Sequence, residues 1–339
     1  MSDPGPERGL PGASLVVPNY QGAALLRRNV PTLLRAVEAA GAPAEVIVVD
    51  DGSSDDSLRV LREELPAARV VVHAQNQGFG AACLSGAQAA AHPVVVLLNS
   101  DVAVEPDFLP PLLRPFARDP QVFSVSPLIL DREGRPSKVT VNLPRVRRGE
   151  LKWDGVEPEE LLRLSALDPQ VPLEIPSLFG LGGAVAVARA RFLELGGFDP
   201  LLRPFYHEDV DLGLCAWRRG WKVLVEPRSR VTHQDGGTIN RHFAPFRVKV
   251  ARRRHRLLVS WKHAEGAWRR AHQRGLVWRA LTRWLKLDLR FYAALWSAWG
   301  RRAEARAAHA RELAATRARL EEEVFPAIRA AWPPAALRT

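Results

Sequence analysis

Glu45-Val-Ile-Val-Val-Asp-Asp-Gly-Ser-Ser-Asp55 decides the fold class of this 339-residue chain. Val46 to Val49 are apolar and β-branched with no polar face, which predicts a strand buried on both sides. The strand ends in paired carboxylates and a turn at Gly52. The same design recurs upstream in Ala13-Ser-Leu-Val-Val-Pro-Asn-Tyr20 and downstream in Pro93-Val-Val-Val-Leu-Leu-Asn-Ser-Asp101. Between these strands the spacing predicts helices over 23–40, 57–65 and 80–91 and a further strand over 69–73. Buried strands alternating with helices predict an α/β fold, a mostly parallel central sheet with helices on both faces. Ligands gather at the carboxyl ends of such strands. Here those ends carry Asn19, Asp50, Asp51, Asn76, Asn99, Ser100 and Asp101.

Residues 132–175 are the least regular. They are expected to cross the sheet and shape a second substrate site, with Trp153 either stacking on a sugar ring or simply packed. Beyond them a strand over 184–188 and a helix over 191–195, stopped by Gly196-Gly197, lead to Glu208-Asp209-Val210-Asp211. Three carboxylates in four residues repel one another and raise at least one pKa, as a proton acceptor near neutral pH requires. The same run also suits the first turn of a helix. A Gly stop at Gly220 and a short strand follow, ending near His233.

Composition bounds the partners. Residues 241–339 hold 23 Lys and Arg against 7 Asp and Glu, a net +16, while residues 1–240 hold 25 against 30, a net −5. Seven of the ten tryptophans lie beyond the basic run Arg252 to Arg256. Val277, Leu281, Leu285, Leu289, Tyr292, Trp296 and Trp299 recur at three- and four-residue steps, which predicts one amphipathic helix. A basic face opposite Trp and Leu suits a helix lying in a membrane interface; a helical subdomain docked on the body is the other reading. No nucleic-acid motif accompanies the charge, so nucleic acid is not expected as a partner. The start lacks a signal-peptide layout, and no apolar run approaches the roughly 18–20 residues that span a bilayer. Cys83 and Cys215, far apart and without metal-ligand spacing, are expected as core fillers in a cytoplasmic protein.

Taken in order, VVPNY, VVDDGSSDDS, NQGFGAACLSGA, LLNSDV, GLGGAVAVAR, LGGFDP, EDVDL, RRGWKV and RVTH resemble family 2 of the inverting glycosyltransferases, over about Ser14 to Thr238. The layout looks most like the rhamnosyltransferase-like branch that extends cell-surface polysaccharides. The resemblance implies a GT-A fold, Rossmann-like, with the basic helical tail as an extension. It divides the chain into a flexible start (1–12), a glycosyltransferase domain (13–240, its nucleotide half 13–103 and its acceptor half 104–240) and the tail (241–339). It implies a nucleoside diphosphate-sugar donor, dTDP-rhamnose or a UDP-sugar. The acceptor would be a saccharide, expected to be lipid-linked at the inner membrane face. Pro18, Asn19, Asp50, Asp51 and Ser53 would then hold the nucleoside, and Asn76 and Gly78 the turn against it. Asn99, Ser100 and Asp101 stand at the family's DXD position, with Asn in place of the first Asp. Asp101 and His233 would hold Mg²⁺ or Mn²⁺ against the diphosphate. Gly182 and Gly183 would leave room for the donor sugar. Asp209 would be the catalytic base, Glu208 its orienting neighbour and Asp211 structural. Two rivals stand beside this reading. A sugar-phosphate nucleotidyltransferase expects a Gly-rich triphosphate loop that VVPNYQG does not provide; a non-catalytic binding scaffold is made conceivable by Asn99.

Overall fold

The computed structural model describes residues 9–137, 139–169, 171–233 and 244–332. Most of the expected flexible start, the motif residues after His233 and the boundary at 240 lie outside the described residues. The nucleotide-side half runs β1 (Ala13–Asn19), α1 (Ala23–Glu38), β2 (Ala44–Asp50), α2 (Ser57–Glu63), β3 (Arg69–Val72), α3 (Phe79–Ala89), β4 (Val94–Leu98) and β5 (Val102–Val104). Then come α4 (Leu109–Arg118), β6 (Val122–Leu130), the hairpin β7 (Leu143–Arg147) and β8 (Glu150–Asp154), α5 (Pro158–Ser165), β9 (Ile175–Pro176), β10 (Ala184–Ala188), α6 (Arg189–Glu194), α7 (Glu208–Arg218) and β11 (Lys222–His233). The tail forms α8 (Pro245–His263), α9 (Gly266–Thr282), α10 (Leu289–Gly300), α11 (Arg302–Ala314) and α12 (Phe325–Ala330).

The sheet order is β3-β2-β1-β4-β10-β6-β11-β5, with β9 on β11. β1 to β4 pair in parallel, whereas β10 runs antiparallel between β4 and β6, so the sheet is mixed. Period-two alternation explains why it is covered twice. Leu15, Val17, Val46, Val48, Val96 and Leu98 face the layer of α1, α2 and α4. Val16, Ile47, Val49, Val95 and Leu97 face α3, α6 and α7. On α1, Leu26, Val30 and Leu33 follow the helical period that sets this face inward. Asp55 closes the start of the same helix, its Oδ2 accepting from the Ala23 N–H at 3.0 Å.

A third core joins the irregular middle of the chain to the tail. Leu143, Leu151, Leu178, Val210 and Leu214 pack with Leu257, Leu258, Trp268, Ala298 and Phe325. The tail is thus docked on the body. Trp153 packs edge-on to Phe179, with ring centroids 5.1 Å apart. Both cysteines are buried and free. No described helix is long and apolar enough to cross a membrane.

The single amphipathic helix expected over residues 277–299 is instead two. α9 ends at Thr282, Trp284–Lys286 form a 3₁₀ turn, and Leu287 takes a left-handed backbone (φ 46°) that no helix continues through. Asp288 then caps α10 by accepting from the Phe291 N–H at 3.3 Å. The apolar period carries across the break, and the capping Asp is what ends the first helix and starts the second.

Candidate active site

The parallel strands end at a cavity of about 650 Å³. On one side it is lined by Pro18, Asn19, Asp51, Asn76 and Gly78 at the ends of β1 and β2 and the turn into α3. Asn99, Ser100 and Asp101 after β4, Gly182 and Gly183 before β10, Glu208 and Asp209 at the start of α7, and His233 at the end of β11 complete it. Of the residues singled out by sequence, Asp50 and Ser53 stand behind this wall. Asp50 is fully buried, its Oδ1 accepting from Asn19 Nδ2 at 2.9 Å and its Oδ2 from the Ser53 N–H at 3.0 Å. Both carboxylate oxygens are therefore spent on holding Asn19 and the Gly52 turn.

Asp51 lines the cavity, but most of its hydrogen bonding is internal. It accepts from the N–H groups of Gln77 (2.9 Å) and Gly78 (2.8 Å) and meets His73 Nδ1 at 2.7 Å. It thereby ties the end of β2 to the turn that starts α3. Gly78 has φ 90°, a conformation that side-chain-bearing residues avoid. His73 was not singled out by sequence; its neighbours, an apolar strand and Ala74, contain no motif that would have marked it.

Asp101 and His233 meet because the last residue of β11 pairs with the first of β5, His233 opposite Val102. Asp101 Oδ1 lies 3.4 Å from His233 Nε2. One carboxylate oxygen and one imidazole nitrogen at that separation can share a divalent cation and leave its other positions to water and phosphate. The donor set fits such a cation. Asn99 faces the glycines: a Cβ on Gly183 would stand 2.5 Å from Asn99 Nδ2, so the close approach requires glycine there.

Glu208 and Asp209 open α7 beneath the cavity. Burial raises the Asp209 carboxyl to about 6, against the opposing hydrogen bonds from the N–H groups of Val210, Asp209 itself and Gly182. The Val210 N–H reaches Asp209 Oδ1 at 2.8 Å. Burial, and then the charge of Asp209, raise Glu208 to about 8. Glu208 Oε2 is buried and meets no hydrogen-bond partner among the described residues. Near neutral pH one carboxylate is therefore ionised and its neighbour protonated, a base beside a hydrogen-bond donor. The residues before them, Tyr206 (φ 73°) and His207 (φ 70°), both hold left-handed backbones. Such conformations persist only where the surroundings hold them. Burial, then the nearby charges of Arg256, His255 and Arg252, depress His207 to about 3, so it is neutral.

Asp211 faces away from the cavity. Its Oδ2 accepts from Lys262 Nζ at 2.8 Å and its Oδ1 meets His263 Nε2 at 2.7 Å, both on α8. Burial pushes Asp211 up, but Lys262 and His263 outweigh it and hold the carboxyl at about 2. Asp211, Cys215 and His263 stand close enough together to suggest a metal site. The Lys262 ammonium, which also binds Asp199 at 2.7 Å, already supplies that cluster's cation. None of these tail residues was singled out by sequence, because each meets its partner across about fifty residues of chain.

Residues 14–161 match the model of the family described as Glycosyl transferase family 2. Polypeptide N-acetylgalactosaminyltransferase 10 of Mus musculus is 29% identical over 267 residues, which cover 74% of this chain and 42% of that protein. Polypeptide N-acetylgalactosaminyltransferase 8 of Drosophila melanogaster is 30% identical over 247 residues, covering 68% and 40%. The chain thus spans less than half the length of these relatives. A crystal structure of GalNAc-T7 with UDP, GalNAc and Mn²⁺ superposes with a TM-score of 0.56 at 22% identity, over 77% of this chain and 49% of that one. These relatives are N-acetylgalactosaminyltransferases, and the expected rhamnosyltransferase-like branch has no counterpart among them. Sequence match and likeness of fold converge: this chain carries a glycosyltransferase family 2 domain with a GT-A-like fold.

Proposed function

We propose that the protein transfers a sugar from a nucleoside diphosphate-sugar to a saccharide acceptor with inversion at the anomeric carbon. One observation carries this reading: a single cavity brings the polar strand ends, a cation-competent carboxylate–imidazole pair and a buried carboxylate with raised pKa together. Asp51, Asn19 and the Asn76–Gly78 turn would hold the nucleoside. Asp101 and His233 would hold Mg²⁺ or Mn²⁺, whose charge, when bound, neutralises the donor diphosphate. Ionised Asp209 accepts the proton of the acceptor hydroxyl as that oxygen attacks the anomeric carbon from the face opposite the nucleotide. Protonated Glu208 donates a hydrogen bond that orients Asp209 or the acceptor. The relatives are named for N-acetylgalactosamine transfer, and one was crystallised with UDP, which favours a UDP-sugar over dTDP-rhamnose as donor. The acceptor is a lipid-linked saccharide of cell-surface polysaccharide synthesis, met at the cytoplasmic membrane face, where the exposed Trp and Leu of the tail make contact.

Thermal shift with UDP-, dTDP- and GDP-sugars, each with and without Mn²⁺, tests the donor site, because a ligand of the folded state alone raises Tm. A Mn²⁺-dependent rise with one nucleotide is expected. No rise with any of them would favour the scaffold reading. Donor hydrolysis by wild type and by Asp209→Asn gives the catalytic arm: equal rates would remove Asp209 from its role. Pyrophosphate release from a nucleoside triphosphate would revive the nucleotidyltransferase.

A further inference from the structure

We propose that Arg252 and Arg256 on α8, together with the exposed apolar turn between α9 and α10, bind a lipid phosphate or diphosphate that carries the acceptor sugar. The proposal rests on the transferase reading for the word acceptor, but the surface itself is on the page. α8 builds the cavity rim. The Arg252 guanidinium stacks 4.0 Å from the ring centroid of Tyr206, a residue that lines the cavity two positions before Glu208. His255 Nδ1 bonds the Tyr206 carbonyl at 2.9 Å, and Arg254 bonds the Arg203 carbonyl. The helix therefore holds the left-handed turn that delivers the two carboxylates.

Arg252 and Arg256 are exposed and make no ion pair with a carboxylate among the described residues. Four residues apart on one helix face, like charges repel, so the pair is mildly unfavourable until an anion covers it. Guanidinium groups suit phosphate in particular, because their fork of donors matches two of its oxygens. Arg253, between them, turns the other way and binds Asp288 Oδ1 at 2.5 Å, while Arg283 binds the second oxygen at 2.8 Å. Asp288 is flanked by Leu287, 81% exposed, and Leu289, 70% exposed, with Trp284 and Leu285 one turn earlier also exposed. Exposed apolar surface on this scale marks a contact site. From the cavity outward the order is polar pocket, guanidinium pair, apolar turn. A sugar joined through phosphate to a lipid chain presents its groups in that order, and a soluble sugar or a free phosphate does not.

The test uses the full chain in EDTA, so that no divalent cation can draw a diphosphate into the donor site. Farnesyl diphosphate, farnesol and inorganic pyrophosphate are titrated against wild type, Arg252→Ala/Arg256→Ala and Leu287→Ser/Leu289→Ser by calorimetry. Farnesyl diphosphate is expected to bind wild type at least 10-fold more tightly than either fragment, and each double variant to lose at least 10-fold. All four positions are solvent-exposed, so unchanged thermal unfolding is expected to show that the variants remain folded. Pyrophosphate binding as tightly as farnesyl diphosphate would make this a free-phosphate site and overturn the proposal. Variants that bind as wild type does would overturn it too, as would phosphatidylglycerol vesicles that bind without competing with farnesyl diphosphate. UDP with Mn²⁺ is titrated separately: loss of that response alone sinks the transferase reading, and loss of the farnesyl diphosphate response alone sinks this one.

Discussion

Lys262→Met removes the one cation that bridges Asp211 and Asp199 beneath the catalytic helix. Asp211 is 2% exposed and Lys262 4%, so water cannot replace the lost partner. Two routes to the cost agree. Breaking a buried pair by removing one member destabilises by about 3–5 kcal/mol. Independently, an Asp held at about 2, against about 3.9 when unfolded, contributes about 2.5 kcal/mol near neutral pH. Urea unfolding at pH 7 is the assay, with ΔG from linear extrapolation and Asp211→Asn/Lys262→Met as the closing corner of a cycle. A loss of about 3 kcal/mol is expected for the single variant, and a smaller one when both charges are gone. The pH dependence adds a sign. In wild type the folded pKa of Asp211 lies below the unfolded one, so its contribution is full above about 4 and is lost as pH falls towards 2. In Lys262→Met burial goes unopposed by the ammonium, so the penalty shrinks as acid protonates Asp211. A loss below about 1 kcal/mol, or one that stays constant from pH 7 to pH 3, would refute the argument that this buried pair locks the tail to α7.

Asp209→Asn should abolish transfer yet stabilise the fold at pH 8. Both buried carboxyls have folded pKa values above their unfolded ones, so stability falls as pH rises through about 4 to 8, and removing one charge lifts that penalty; a lower Tm in Asp209→Asn at pH 8 would contradict this. The rate of transfer by wild type should rise with pH through an apparent pKa near 6 and fall again near 8 as the pair loses its second proton, read from kcat/KM profiles. His233→Ala should raise the Mn²⁺ concentration for half-maximal activity by about 10-fold or more, and activity that is metal-independent in both proteins would remove Asp101 and His233 from that role. His73→Ala should loosen the Asp51-held turn and weaken UDP binding in the thermal shift assay while leaving Asp209 untouched; unchanged UDP affinity would assign His73 to packing alone.

How much of this was legible in the chain follows from the range over which each signal acts. Buried strands announce themselves locally, and the expected spans over 13–20, 45–50, 69–73 and 184–188 sit within a residue or two of β1, β2, β3 and β10. Polar residues at strand ends are local too, so most of the cavity wall could be named in advance. What the strand-end signal did not separate was the front of the wall from its back. Asp50 and Asp51 are adjacent, but alternation along the strand sends one inward against Asn19 and the other to the rim. A doublet read as one feature has two jobs here, one of them wholly internal.

The tail shows the opposite case, where periodicity was read correctly and still misled. Trp278, Trp284, Leu285 and Trp296 are exposed, as an interfacial helix would require, yet Leu257, Leu258 and Trp268 are buried in the core that also holds Val210 and Leu214 of α7. One basic segment therefore does two things that looked like alternatives. Its first helix is structural to the catalytic pair, through Lys262, His263 and the clamp on Tyr206. Its second and third helices carry the unpartnered apolar surface. Removing residues 241–339 to test membrane contact would therefore also take away the counter-charges of Asp211, and loss of activity in such a truncation would say nothing about lipid. Substitutions confined to the exposed Trp and Leu separate the two roles. They should lower binding to anionic vesicles by an amount that salt does not restore, because each buried apolar group adds area rather than charge. Vesicle binding that survives them unchanged would leave only the basic residues as the membrane-facing element.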